Sequence, residues 1–157
     1  MTHKYAATVA WSRGGQVFTD RRYSRAHEWR FDGLTVPASS SPSVVRLPLS
    51  REDAIDPEEA LVASLSSCHM LFFLDFAARD GFRIDAYTDN ATGEMGKTAD
   101  GGIWMSKVTL APRIAFSGDK RPSADDIARL HRLAHEHCYI ANSVRSEVVI
   151  ADAVNPS

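Results

Sequence analysis

Cysteine is scarce in this chain, with only Cys68 and Cys138 among 157 residues. Two are too few for a secreted disulfide framework, and a chain of this length buries a core without staples. The start, Met1-Thr2-His3-Lys4-Tyr5-Ala6-Ala7-Thr8, lacks the basic opening and apolar run of a signal peptide, so a cytoplasmic, reducing setting is expected. Long apolar runs are also missing. The longest in the richest region, Met70-Leu71-Phe72-Phe73-Leu74, is bracketed by His69 and Asp75 and falls far short of a membrane span. Charge of one sign does not dominate either: 18 Lys and Arg stand against 20 Asp and Glu. No basic field for nucleic acid follows from that balance, although Arg13, Arg21, Arg22, Arg25 and Arg30 form a local cluster. Neither a membrane nor a nucleic-acid partner is expected.

What is present is an alternation of strand and helix signals over one domain, residues 1–157. Residues 4–11 alternate loosely, and Ser12-Arg13-Gly14-Gly15 reads as a hairpin turn with a return strand near Gln16. A second strand is expected from Ser24 to Phe31, with Arg25, His27, Trp29 and Phe31 on one face and Ala26, Glu28 and Arg30 on the other. Residues 37–57 carry four prolines and a serine run, which predicts a long surface loop, either functional or a connector. Asp56 then offers an N-cap, Pro57 a first helical position and Glu59 the return arm of a capping box. The helix is expected to run to Asp80-Gly81, about 22 residues or roughly 33 Å. It is apolar almost all round, which implies burial on several sides, part of it against a second subunit. Phe82 to Met95 and Ile103 to Phe116 read as two long strands. Ser123 caps a second helix with Ile127, Leu130, Leu133 and Ala134 on its apolar face, a short turn follows in Tyr139-Ile140-Ala141-Asn142, and Glu147 to Val154 is the last strand. The class is α+β.

Both cysteines belong to helical settings, and two readings stay open for them: inert core hydrophobes or redox thiols. Cys68 falls mid-helix, where the dipole of its own helix helps little, so a reactive thiolate there requires an external cation. Arginine suits that task, and the arginines upstream of the long loop are the candidates. His69 is adjacent in sequence but points about 100° away, which makes it a polar patch and a poor base for Cys68. Glu58 lies ten residues before Cys68, about 15 Å along one helix axis. If they share a site, two subunits supply one each. Cys138 follows the second helix, where the negative helix end suits a resolving thiol better than an attacking one. His131 and His135 stand one turn apart, close to Cys138 and His137, with a metal site or a wet helix face as the alternatives.

Taken together, Asp56-Pro57-Glu58-Glu59-Ala60-Leu61 leading to Ser66-Ser67-Cys68, with Cys138 some seventy residues later before Asn142-Ser143, resembles the OsmC/Ohr family of hydroperoxide peroxidases. The resemblance extends over nearly the whole chain and includes the order of elements. It implies an OsmC-like fold of antiparallel sheets around a long buried central helix, in an intertwined homodimer. It also implies a cofactor-free, metal-free peroxidase in which Cys68 attacks an organic hydroperoxide and Cys138 resolves the sulfenic acid to a disulfide, for a dithiol reductant to reopen. Glu58 would pair with an arginine that holds the thiolate. Arg25 and Arg30, on opposite faces of one strand, are preferred, with Arg46 and Arg51 also open. In that family a proline commonly follows the second cysteine; Tyr139 stands there in this chain. Apolar residues near the first thiol, Leu65, Phe72 and Phe73, favour a bulky alkyl or lipid peroxide over hydrogen peroxide. A ligand-binding or structural dimer with inert cysteines is the reading from a different class.

Overall fold

A computed structural model describes residues 2–151, and the chain divides into two compact units between Ala60 and Leu61. In the first unit, β1 (Thr8–Ala10), β2 (His27–Phe31) and β3 (Leu34–Ala38) form an antiparallel sheet in that order. The expected return strand near Gln16 does not form. Gln16 N–H closes a local turn on Arg13 O at 3.2 Å, and β1 pairs with β2 instead, Thr8 opposite Arg30. The excursion between them is held by ring packing: Phe18 stacks on Tyr23 at 4.7 Å and Trp11 meets Tyr23 edge-on at 5.3 Å. Such pairs are worth about 0.5–1.5 kcal/mol beyond their burial, enough to compete with a short ladder.

The segment expected to be a surface loop is partly inside. Pro37 and Ala38 belong to β3, and Ser39, Ser50 and Asp56 are buried. Pro37 has no N–H to donate, but its carbonyl accepts from Ile55 N at 3.1 Å, and Ser39 N donates to Ile55 O at 3.0 Å. Serine hydroxyls complete the tie, with Ser39 Oγ accepting from Arg51 N at 3.0 Å. A proline-rich composition predicted exposure here; side-chain and carbonyl acceptors overrode it.

Helix α1 (Pro57–Arg79) begins where the capping residues place it. Asp56 Oδ1 accepts from Glu59 N at 2.8 Å, and Glu59 Oε2 accepts from Asp56 N at 3.4 Å. It ends at Gly81, whose φ of +78° suits a residue without Cβ. Within this one chain its 23 residues bury a single row, Leu65, His69, Phe73 and Ala77. Leu71, on the opposite side, is 61% exposed. By length and hydropathy α1 qualifies as a membrane-spanning helix, unlike the short run Met70–Leu74 taken alone, yet its packed row is that of a core helix.

The second unit continues with β4 (Arg83–Asp89), β5 (Thr92–Lys97), β6 (Ile103–Leu110), β7 (Pro112–Ser117), α2 (Ala124–His137), a single 3₁₀ turn over Ala141–Ser143, and β8 (Glu147–Ile150). Residues 152–154 of the expected last strand lie outside the described residues. The two long strands expected here each divide in two. Asp89 stands at the break: one carboxylate oxygen accepts from Ala111 N at 2.7 Å and the other from the Ser66 hydroxyl at 2.5 Å. Pro112 next to Ala111 brings no donor of its own. Two sheets result, β4–β7 and β5–β6–β8, and β8 runs parallel to β6, so the expectation of antiparallel sheets fails for that one pair.

Two apolar clusters carry the second unit. Phe73 and Ala77 of α1, Leu130 and Ala134 of α2, and Phe82 and Ile114 by the β4–β7 sheet form one. Leu65 with Val108 and Leu110 of β6 forms the other. Helix α1 crosses β5 so closely that a Cβ on Gly93 would lie 2.8 Å from Val62 Cγ2. Phe73→Ala is expected to destabilise by about 3–5 kcal/mol, against about 1 kcal/mol for the cap variant Asp56→Ala; urea unfolding of both checks the order.

Candidate active site

The buried row of α2 contains Leu130 and Ala134, and Cys138 continues it at the same i, i+4 spacing. Cys138 is the C-cap: its N–H donates to His135 O at 3.3 Å, and its carbonyl accepts from Asn142 N at 3.0 Å. The side chain is 1% exposed, with Ala141 N donating to Sγ at 3.4 Å. Burial pushes the Cys138 thiol up to about 11; the Ala141 N–H works against this and the neighbouring Cys68 thiol adds to it. Cys68, half-buried on α1, thus lies beside Cys138, and both thiols are free. Helices that run in opposite directions bring them together. Asp80, just past α1, pairs with Arg129 early in α2 at 2.5 Å, while the thiols meet near the end of α2.

Beside the sulfurs stands a pair of imidazoles. His69 Nε2 and His131 Nδ1 are 3.0 Å apart, and the rings stack at 5.3 Å with 13° between planes. His69 is 1% and His131 6% exposed, so neither the polar patch expected at His69 nor the wet face expected at His131 holds. His69 lies between Leu65 and Phe73 at four-residue spacing, and that pattern was the available signal for its burial. Burial pushes His69 down to about 3, helped by nearby His131 and His135, and His131 down to about 4 against the pull of the Asp89 carboxylate. A neutral imidazole with so low a pKa is a weak base, in keeping with the reading that His69 does not activate Cys68. With His131 turned to His69 and His135 exposed, the two histidines do not face one site. Among the described residues, no group of three His, Cys, Asp or Glu side chains is arranged to hold a metal ion.

Tyr139, which follows Cys138, is exposed and sets its ring perpendicular to Phe72 at 5.1 Å. Phe72 is one helical turn beyond Cys68, and His137 packs on Phe76 at 5.1 Å. An aromatic flank therefore adjoins the thiols, a feature that required knowing how α1 and α2 meet.

The remaining candidates lie in the first unit. A cavity of about 480 Å³ there is lined by Trp11, Phe18 and Tyr23 on its apolar side and by Arg25, His27 and Glu58. Arg25 is held in place: its guanidinium donates twice to Arg21 O at 3.0 Å and once to Tyr23 O, and it lies 3.9 Å over the Tyr23 ring. Arg30 is not in that cavity; it pairs with Glu28 at 2.9 Å on an exposed face. Arg51 pairs with Asp53 at 2.7 Å, and Arg46 is exposed. The structure thus brings Glu58 together with Arg25 and not with the other three.

A family profile described as OsmC-like protein matches residues 50–151. The chain belongs to the OsmC-like family. This OsmC-like chain is 49% identical to an OsmC-like protein of unknown function, VCA0330 of Vibrio cholerae, over 96% of its own length and 99% of that chain, with a TM-score of 0.93. It shares its fold with an organic hydroperoxide resistance protein of Elizabethkingia anophelis, at 18% identity, TM-score 0.70 and coverage of 100% and 99%. The organic hydroperoxide resistance protein OhrB of Bacillus subtilis is similar at 18% identity, TM-score 0.63 and coverage of 94% and 95%. No curated protein matches the chain.

The imidazole pair makes stability pH-dependent in a stated direction. Both groups bind protons below about 6.5 once unfolded but resist protonation in the fold, so their contribution is complete above 6.5 and is lost as pH falls through about 4 and about 3. Urea midpoints measured from pH 7.5 to 4 should fall, and the fall should be shallower in the double variant His69→Gln, His131→Gln.

Proposed function

We propose that this OsmC-like chain is a cytoplasmic thiol peroxidase for organic hydroperoxides, with Cys68 as the attacking and Cys138 as the resolving thiol. The observation that carries the reading is the placement of the only two cysteines side by side, one half-buried and one sealed. Cys68 Sγ, as thiolate, attacks the terminal peroxide oxygen; the O–O bond breaks, an alcohol leaves with a proton, and a sulfenic acid remains. Cys138, deprotonated, then attacks that sulfur, forms the disulfide and releases water. A thiol pushed up to about 11 is mostly protonated at neutral pH, which keeps Cys138 from competing for the peroxide. The organic hydroperoxide resistance proteins of similar fold support the substrate class, and the aromatic flank of Phe72 and Tyr139 supports a bulky apolar peroxide.

Glu58 and Arg25 are the acid and cation assigned to thiolate support. Glu58 and Cys68 are about 15 Å apart along one helix, so a homodimer is part of the proposal, with these two groups supplied by a second subunit. The exposed side of α1, with Ala63, Ser67 and Leu71, supports a second chain against the helix. A single-chain mass in light scattering would contradict that part.

One equivalent of cumene hydroperoxide should remove two free thiols per chain, faster than hydrogen peroxide does, and Cys68→Ser should abolish the loss. Unchanged thiols would instead support a ligand-binding or structural dimer with inert cysteines.

A further inference from the structure

A Cys68–Cys138 disulfide has to be reopened for a second turnover, and the two sulfurs differ in reach. Cys138 is 1% exposed within its own chain, so association with further chains only seals it more. Cys68 is half-buried within its own chain, and the second subunit proposed above would bring it a cavity of about 480 Å³ lined by Arg25 and Glu58. The turn after Cys138 is also pinned in place: Asn142 Nδ2 donates to Glu136 O at 3.0 Å, Ser143 N to Ile140 O at 3.0 Å, and the Ser143 hydroxyl to Tyr139 O at 2.7 Å. From within that turn the Ala141 N–H points at Cys138 Sγ, 3.4 Å away. Exchange at a disulfide depends on access to the attacked sulfur and on how well the departing sulfur accepts its charge; burial works against charge on Cys138 Sγ and the Ala141 N–H works for it, so access is what separates the two sulfurs.

Resting on the peroxidase reading, we propose that a reducing dithiol attacks Sγ of Cys68 and expels Cys138 toward the Ala141 N–H. A bond forms between the reductant's first sulfur, as thiolate, and Cys68 while the Cys68–Cys138 bond breaks. The electron pair passes to Cys138 Sγ, which takes up a proton. The reductant's second thiol, once deprotonated, attacks its own first sulfur, closes a disulfide within the reductant and releases Cys68 as a thiolate. The protein gains two electrons and the dithiol loses two. Burial of Cys138 favours its return to the thiol, which slows its attack back on the mixed disulfide. A monothiol lacks the closing step and leaves the mixed disulfide exposed to reversal by Cys138.

The test uses the full chain, oxidised with cumene hydroperoxide and mixed with excess glutathione as the attacking thiol. After an early acid quench and blocking of free thiols with N-ethylmaleimide, peptide mapping locates the mixed disulfide. The adduct is expected on Cys68, in more than about tenfold excess over Cys138. An equal or larger share on Cys138 overturns the proposal, as does a disulfide that no thiol opens. If the hydroperoxide leaves both thiols intact, the peroxidase reading fails by itself; the disulfide is then made with diamide and the direction of attack is read in the same way. A pair that diamide cannot link overturns the proposal as well.

Discussion

Helix α1 buries one row of side chains, Leu65, His69, Phe73 and Ala77, and α2 answers with Leu130, His131, Ala134 and Cys138. Everything proposed for the sulfurs depends on that packing. Each fully buried Phe or Leu in it contributes about 1.5–3 kcal/mol, so the two helices have little freedom to slide. Because Cys138 extends the row by one turn and Cys68 neighbours it on α1, fixing the row fixes the thiol pair. The 3₁₀ turn after Cys138 adds a local lock, since the same cysteine is at once helix cap, hydrogen-bond acceptor at sulfur and core residue.

The same burial sorts the ionisable groups. Moving an imidazole or a thiol away from water penalises the charged form of each, which keeps His69 and His131 neutral and Cys138 protonated. The imidazoles lose solvent but gain each other, one hydrogen bond at 3.0 Å standing in for water. A charged group in their place would disfavour the fold, so the chain keeps acid, cation and apolar cavity elsewhere, around Arg25 and Glu58 in the first unit.

Local signals in the sequence were legible where their partners are local. The Asp56, Pro57 and Glu59 start of α1, its stop at Gly81 and the Ser123 cap of α2 are contacts between near neighbours, and the spacing of Glu58, Cys68 and Cys138 was readable for the same reason. Burial of His69 and His131 was not, because their one shared hydrogen bond, between Nε2 of the first and Nδ1 of the second, forms only after the helices meet. Nor was the division of the long strands at Asp89, whose carboxylate reaches across to Ala111 and Ser66. Trp11, Phe18 and Tyr23 misdirected the hairpin reading, since ring packing over a dozen residues leaves no period in the sequence.

The central claim is that Cys68 is oxidised first and that Cys138, already beside it, captures the product. Intact-mass spectrometry of the wild type and of Cys138→Ser after one equivalent of organic hydroperoxide tests it most directly. The wild type should lose the mass of two hydrogens and yield a Cys68–Cys138 cross-linked peptide, whereas Cys138→Ser should gain one oxygen on Cys68. A wild type that holds a lasting oxygen on Cys68 with Cys138 free, or that does not change mass, would contradict the account.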